Sequence, residues 1–382
     1  MLDVLIAGAG PVGLSLALGL ARAGKSVLVL EKKDRFDPHS RAPAIWPRTQ
    51  EILAGLGVID RFVREGIVRP DFNFTDADKD RVLLSLSFRE LAEETKFPQA
   101  LILPQNKTEQ FLYEALSREP KAEVKFSSEV VKLLHADTHV TVEYKQNGQP
   151  AAADALYVAG CDGAHSAVRE ALGFTLEGRT YGIRAALADV HLGDDKPYDF
   201  PRFSTQGPFA AGILIEKSLW RLILLYPSSS LLSLDERVKE GVRGLFGQDR
   251  YELVWQSEFH LHQRLSSGFV SGRAALAGDA AHLNSPVGGQ GMNAGIQDTE
   301  VLCKTLLKAL DCRDPEELRA YERERRLAVR KGVNRFTNQL TKVLLFRDGR
   351  YIKTILGLAG HVLKIPSLRH AFLRRMAMLP RR

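Results

Sequence analysis

Apolar positions along the chain change period several times. Residues 4–7 form a short continuous apolar run, the pattern of a parallel strand buried on both faces. After a glycine cluster, Leu14, Leu16, Ala17, Leu20 and Ala21 mark the buried side of a helix, and Gly24 sits where a C-cap glycine belongs. Residues 26–30 are apolar again and end in Glu31, so a βαβ unit begins within the first thirty-odd residues. A loop and a helix over residues 48–56 follow, then strands around 70–74 and 82–88 on either side of the polar stretch DADKD. NKTEQFLYEALSR predicts an amphipathic helix with Phe111, Leu112, Ala115 and Leu116 on one side. Strand-like alternation then leads through ALYVAG into a second glycine turn. Between Tyr181 and His262 strands follow one another, interrupted by one helix, Leu234–Phe246. GRAALAGDAAH restores the α/β pattern, and the chain from Gly291 onward reads as helical.

This order predicts an α/β protein. A Rossmann-like nucleotide-binding domain is assembled from residues 1–70, 98–178 and 268–330, and a mainly antiparallel β-sheet domain from 71–97 and 179–267 is inserted into it. Residues 331–382 form a basic, amphipathic, helical C-terminal segment. With 382 residues, two domains or one large composite are expected. The apolar start reads as a first strand rather than a signal peptide, and no apolar run is long enough to cross a membrane. Cys161, Cys303 and Cys312 have no CxxC spacing, which argues against a disulfide scaffold or a cysteine zinc site and fits a cytoplasmic setting. No metal site is expected. The net charge of +7 is uneven: residues 342–382 hold ten basic residues and one acid, Asp348, leaving the body slightly acidic. A basic face interleaved with aromatics is missing outside the tail, so nucleic acid is not an expected partner.

Three glycine-rich motifs carry the chemistry. Gly8, Gly10, Pro11, Val12 and Gly13 fit GxGxxG between a strand and a helix, with Glu31 at the end of the next strand. In that setting the glycines let a pyrophosphate approach the backbone and the acid accepts hydrogen bonds from a ribose. Asp162 and Gly163 follow another strand, where Asp162 or Ser166 also suits a helix N-cap. The third motif runs from Gly278 to Asp298. Asp279 ends a strand, Pro286 stiffens a loop, and Gly288, Gly289 and Gly291 remove Cβ atoms where a main chain must approach a flat ring. A helix starting near Met292 then turns its positive end toward that ring, as a reduced flavin would require.

With its three motifs in this order, the chain resembles the single-component FAD-dependent aromatic hydroxylases, the p-hydroxybenzoate hydroxylase-like flavoprotein monooxygenases, over about residues 1–330. The resemblance implies FAD as cofactor, NADPH or NADH as reductant, O2 as co-substrate, and hydroxylation of a phenolic or polycyclic aromatic ring through a flavin C4a-hydroperoxide. It implies FAD contacts from Glu31 and Lys32 to the adenosine ribose side, from Arg41 near the pyrophosphate, from Gln105, and from the Val130 main chain to adenine. Asp162 is implied in FAD and NAD(P)H handling, with His165 and Arg169 as nicotinamide-cofactor contacts. Gly278 and Asp279 would meet the ribityl–pyrophosphate region, and Pro286, Gly288, Gly289, Gln290, Gly291, Met292 and Asn293 would line the flavin ring. Arg41, Pro286 and Gly289 are the residues expected nearest the reaction. Trp46, Trp220 and Trp255 are scattered, with no WxWxIP motif of the tryptophan halogenases.

Substrate contacts are expected from the inserted sheet, with Arg184, Arg221, Tyr226 and His260 as candidates. In the tail, Ile352, Ile355, Leu356, Ala359, Val362 and Leu363 would form one helical face packed on the core as a lid. The alternative for the tail is peripheral contact with an anionic membrane, as in a hydroxylase of quinone rings or lipid-linked substrates. The alternative for the whole is a flavin-binding redox or accessory protein without productive oxygenation. The expected state is a monomer or homodimer.

Overall fold

The computed structural model describes residues 1–39, 42–193, 196, 198–206, 209–344 and 349–380. Two eight-stranded sheets organise these residues. The first has a parallel centre in which Leu2–Ala7 lies between Val27–Leu30 and the end of Gln149–Gly160. Ala122–Lys125 and Ala274–Leu276 extend it in parallel on either side. Val4, Leu5, Ile6 and Val29 have no exposed surface, which is why these strands read as continuous apolar runs. Pro11–Arg22 packs on the sheet and against both Gln105–Leu116 and the long helix Gly291–Cys312.

The second sheet is mostly antiparallel. Its spine is the pair Leu176–Leu192 and Tyr251–Ser266, continued by Leu219–Pro227, Phe209–Leu214 and Arg202–Ser204. Asp71–Asp76 and Arg81–Ser87 close one edge, and His282–Leu283 joins the other. One face carries Ala186, Ala188, Val190, Trp220, Leu222, Leu224 and Tyr226 and is covered by Leu234–Phe246. That helix starts at a Ser233–Glu236 capping box and stops at Gly247 in the left-handed region (φ 68°), so its ends are written locally. The opposite face carries Tyr181, Ala185, Leu225 and Leu261, with Ile183, Phe209, Ile223 and Phe259 only partly buried.

Three helices end the described chain: Asn334–Leu344, Gly349–Val362 and Pro366–Met376. Phe336, Leu363, Leu373 and Met376 pack with Trp46, Phe72 and Phe88. The basic charge of the tail meets acids of the body: Lys353 pairs with Asp76 at 3.0 Å, Arg369 with Glu90 at 2.9 Å, and Arg374 with Glu94 at 3.2 Å. The uneven charge is therefore partly satisfied within the molecule. Ile352 and Leu363 face inward as expected, but Val362 is half exposed, because the helix ends there and the chain turns.

Candidate cofactor and substrate site

The glycine turns meet at the C-terminal ends of the parallel strands. Gly8 has φ 97° and lies so close to the neighbouring strand end that a Cβ would come within 2.9 Å of the Asp162 Cα. A Cβ on Gly13 would run into the Gly8 carbonyl, whereas one on Gly10 would face open space, the side from which a pyrophosphate can approach. Val12 wedges between Gly278 and Gly295: a Cβ at either would come within 2.9 Å or 2.6 Å of its Cγ2. The spacing of glycines thus draws three distant segments into one floor.

Glu31 spans this floor. Its carboxylate accepts from the Ala9 N–H at 2.8 Å and the Lys33 N–H at 3.0 Å. Lys32 is exposed. The Ser128 N–H donates to the Glu31 carbonyl at 2.8 Å, which places Val130 two residues away with its side chain in the core and only its main chain available outward. Gln105 opens its helix and donates through Nε2 to Glu109 at 2.8 Å. Burial pushes the Glu109 carboxyl up to about 7; Gln105 and Lys33 oppose that, while Glu31 and Asp37 add to it. Arg41 lies outside the described residues.

Asp162 is half-buried and accepts from the Val168 N–H at 3.2 Å, but Ser166 is the formal cap of the short helix, accepting from the Arg169 N–H at 2.9 Å. Burial raises the Asp162 carboxyl against the hydrogen bonds from Ser166 and Val168. Its Oδ1 is buried without a hydrogen-bond partner among the described residues. Arg169 departs from expectation. Its guanidinium is buried and donates to the Ala280 carbonyl at 3.2 Å and the Ala164 carbonyl at 3.0 Å, so it ties the Gly163 turn to the Gly278–Ala280 turn instead of reaching for a nucleotide.

The turn at Gly278 rests on an ionic group that the sequence reading missed. Asp298 accepts from the Gly278 N–H at 3.0 Å, His282 Nε2 at 2.7 Å and Arg325 Nε at 2.7 Å, all buried. Burial alone would raise this carboxyl; the His282 ring and the Arg325 guanidinium outweigh it and hold Asp298 below the ordinary range. Asp279 projects from the same turn and is exposed between buried Gly278 and Ala280.

The loop after it is pinned from several directions. The Gly289 N–H donates to the Pro286 carbonyl at 2.9 Å, and Gly288 at φ 92° supplies the positive φ such a turn needs. Trp46 Nε1 donates to the Gly288 and Gly289 carbonyls, both at 3.1 Å. Thr341 donates to Ser285 Oγ at 2.6 Å. Asn293 is not turned to a ring: its amide donates to the Ala44 and Gly289 carbonyls at 2.8 Å, and its oxygen accepts from the Trp46 N–H at 2.9 Å. Gln290 is buried, with its amide toward the Arg375 carbonyl in the tail. Both can meet a ligand only through the main chain. Met292 packs on the core, and Gly291 opens the long helix with nothing near its Cβ direction.

The sheet face bearing Tyr181 looks toward this loop. Tyr181 donates to Asn338 at 2.9 Å, Gln263 donates to the Asn334 carbonyl at 3.2 Å, and Leu340 of the same helix lies against Gly288. The four substrate candidates are not brought there. Arg184, Tyr226 and His260 are cross-strand neighbours, and they share the face that carries Leu222 and Leu224 under Leu234–Phe246. Arg184 and Tyr226 both bond Glu258, and Arg237 stacks on the Tyr226 ring at 3.6 Å. Arg221 is on the loop-facing side but only 1% exposed, with its guanidinium bound bidentately by Asp189. Alternation marked none of this, because the strand LWRLILLYP is apolar on both faces. No cluster of three potential metal ligands occurs among the described residues.

An FAD-shaped demand fits these residues: a glycine cradle, a ribose-level acid and an orphaned carboxylate oxygen suited to a polyol hydroxyl. Comparison with known proteins agrees. The family model described as FAD binding domain matches residues 1–336. Para-nitrophenol 4-monooxygenase of Pseudomonas sp. (strain WBC-3) is 30% identical over 80% of this chain and 78% of that protein. The 12-dehydrotetracycline 5-monooxygenase/anhydrotetracycline 6-monooxygenase of Streptomyces rimosus is 32% identical over 91% and 71%. The crystal structure of p-nitrophenol 4-monooxygenase PnpA from Pseudomonas putida DLL-E4 superposes with a TM-score of 0.89 at 27% identity, covering 99% of this chain and 98% of that one. The chain belongs to the FAD-dependent aromatic hydroxylases. It is a flavin monooxygenase, with FAD as its cofactor.

Proposed function

We propose that the protein hydroxylates a phenolic or polycyclic aromatic ring, using NAD(P)H as reductant and O2 as oxidant. FAD, when bound, would carry two electrons from the nicotinamide to O2, one oxygen atom of which goes to the ring and the other to water. The chain's own groups bind, orient and seal. Gly8, Gly10, Pro11, Val12 and Gly13 with the helix start behind them take the pyrophosphate. Glu31 and the Val130 main chain hold the adenosine side, Gln105 the ribityl–phosphate region, and Arg41 the pyrophosphate. Asp162 and Asp279 accept from polyol hydroxyls, and the turn from Pro286 to Gly291 lies along the ring. The positive end of Gly291–Cys312 favours negative charge on the reduced ring.

The observation that carries the reading is an apolar sheet face joined to the glycine turn through the helix Asn334–Leu344. Ile183, Phe209, Ile223 and Phe259 are only partly buried and share a cluster with Leu225 and Leu261. Such a face desolvates a flat ring and keeps water from the reacting atoms. The relatives' names, a nitrophenol and an anhydrotetracycline, support the same substrate class. The test is oxidation of NADH and NADPH by the yellow protein across phenols and polycyclic phenols, with peroxide counted in parallel. A compound that speeds oxidation with little peroxide and yields hydroxylated product is expected. Oxidation that ends wholly as peroxide for every ring class would contradict the proposal.

A further inference from the structure

The tail has two apolar faces, and internal packing explains only one. Inward, Ile352, Leu363, Leu373 and Met376 are buried, and the helix Gly349–Val362 lies so close to the second sheet that a Cβ on Gly360 would sit 3.0 Å from the Leu83 carbonyl. Outward, Leu358, Val362, Ile365 and Leu368 are 60, 50, 51 and 45% exposed. They follow one another at intervals of four, three and three residues, around the corner where Gly349–Val362 gives way to Pro366–Met376. Other large exposed apolar residues occur singly or in pairs along the chain. A concentration of four within eleven residues is a patch, and on a monomer such patches mark contacts.

Charge says what kind of contact. Residues 349–380 contain no Asp or Glu but six Lys or Arg. Lys353, Arg369 and Arg374 turn inward and neutralise Asp76, Asp78, Glu90 and Glu94, the acids beneath them. Lys364 and His361 stand exposed among the four apolar side chains. The corner is thus apolar, with one cation, Lys364, set among its side chains and no negative charge of its own. All four side chains are aliphatic, with neither the aromatic anchors nor the hydrogen-bonding groups that fix a specific protein partner. No helix among the described residues is long and apolar enough to cross a membrane, so a lipid contact here is peripheral.

We propose that this corner docks on the surface of an anionic lipid bilayer, with Leu358, Val362, Ile365 and Leu368 entering the headgroup–acyl boundary and Lys364 meeting lipid phosphates. The proposal is independent of the substrate reading. Its test is flotation of the full, FAD-loaded chain with vesicles of phosphatidylcholine alone and vesicles in which a third of the lipid is phosphatidylglycerol. The protein floats with the anionic vesicles, and added salt weakens the binding. Leu358→Ser combined with Ile365→Ser lowers partitioning at least about tenfold, and Lys364→Glu also lowers it, both with the flavin absorbance retained. Failure to float with anionic vesicles, or flotation unchanged in the double variant, overturns the proposal. So does a concentration-dependent dimer in sedimentation that the double variant abolishes, because the occupant is then a second copy.

Discussion

In the parallel sheet, Val4, Leu5 and Ile6 are wholly buried, and the turns at the strand ends are set by glycines whose Cβ atoms would strike backbone. In the antiparallel sheet, one face is closed by a capped helix, while the other leaves Ile223 and Phe209 partly open. The first region is tied down by polar side chains bonded to main chain: Arg169 to two carbonyls, Asn293 to three backbone groups, Asp298 to the Gly278 amide. The second can change side-chain size on its open face without disturbing the closed one. A cofactor common to a family needs the first kind of region, and substrates of differing ring number need the second.

The largest break in this contrast comes from Gly13→Ala. The added methyl meets the Gly8 carbonyl, a backbone atom that cannot swing away. Loss of flavin from the purified protein is expected, with a stability cost of about 5 kcal/mol; absorbance and a melting curve check both. Asp298→Ala comes next. It strands the buried Arg325 guanidinium and removes the acceptor of the Gly278 N–H, at about 3–4 kcal/mol in urea denaturation.

Glu109 sharpens the picture through pH. Its folded carboxyl titrates near 7 because burial disfavours the charge, against 4.5 ordinarily. A raised carboxyl stabilises the fold only while protonated. The contribution is fully present below pH 4.5 and is lost as pH rises through about 7. The FAD-free protein should therefore be less stable at pH 8 than this group allows at pH 4, by up to about 3 kcal/mol. Glu109→Gln should remove that slope in denaturation curves taken across the range. A smaller effect is expected for Asn293→Ala, about 2 kcal/mol from unpaired backbone groups, together with more peroxide per NAD(P)H as the Gly288–Gly289 turn loosens.

The nucleotide end was legible because GxGxxG and GD report steric facts that act over a few residues: a Cβ at Gly8 or Gly13 cannot fit, whatever surrounds it. The side chains around it were less so. Arg169 looked available, yet its partner carbonyl at Ala280 lies 111 residues away. Gln290 and Asn293 sit in a cofactor motif, but their amides serve the tail and the strand at Ala44. His282 and Asp298 fall within the third motif, and only the fold shows them bonded to each other, with Arg325 on the same carboxylate. The open apolar face was hidden because Leu219–Pro227 is apolar on both sides, one under a helix and one toward the loop. Polar residues such as Arg184 and His260 stood out in the sequence, and they lie on the face under the helix.

The most direct test of this account is the change in the flavin spectrum when a phenolic ligand binds the FAD-loaded protein, compared between Ile223→Asp and Tyr226→Phe. With the ligand on the loop-facing side, as proposed, Ile223→Asp should abolish the spectral change while Tyr226→Phe keeps it within about twofold in affinity. A spectral change that survives Ile223→Asp and disappears in Tyr226→Phe would place the substrate on the other face of the sheet and contradict the account.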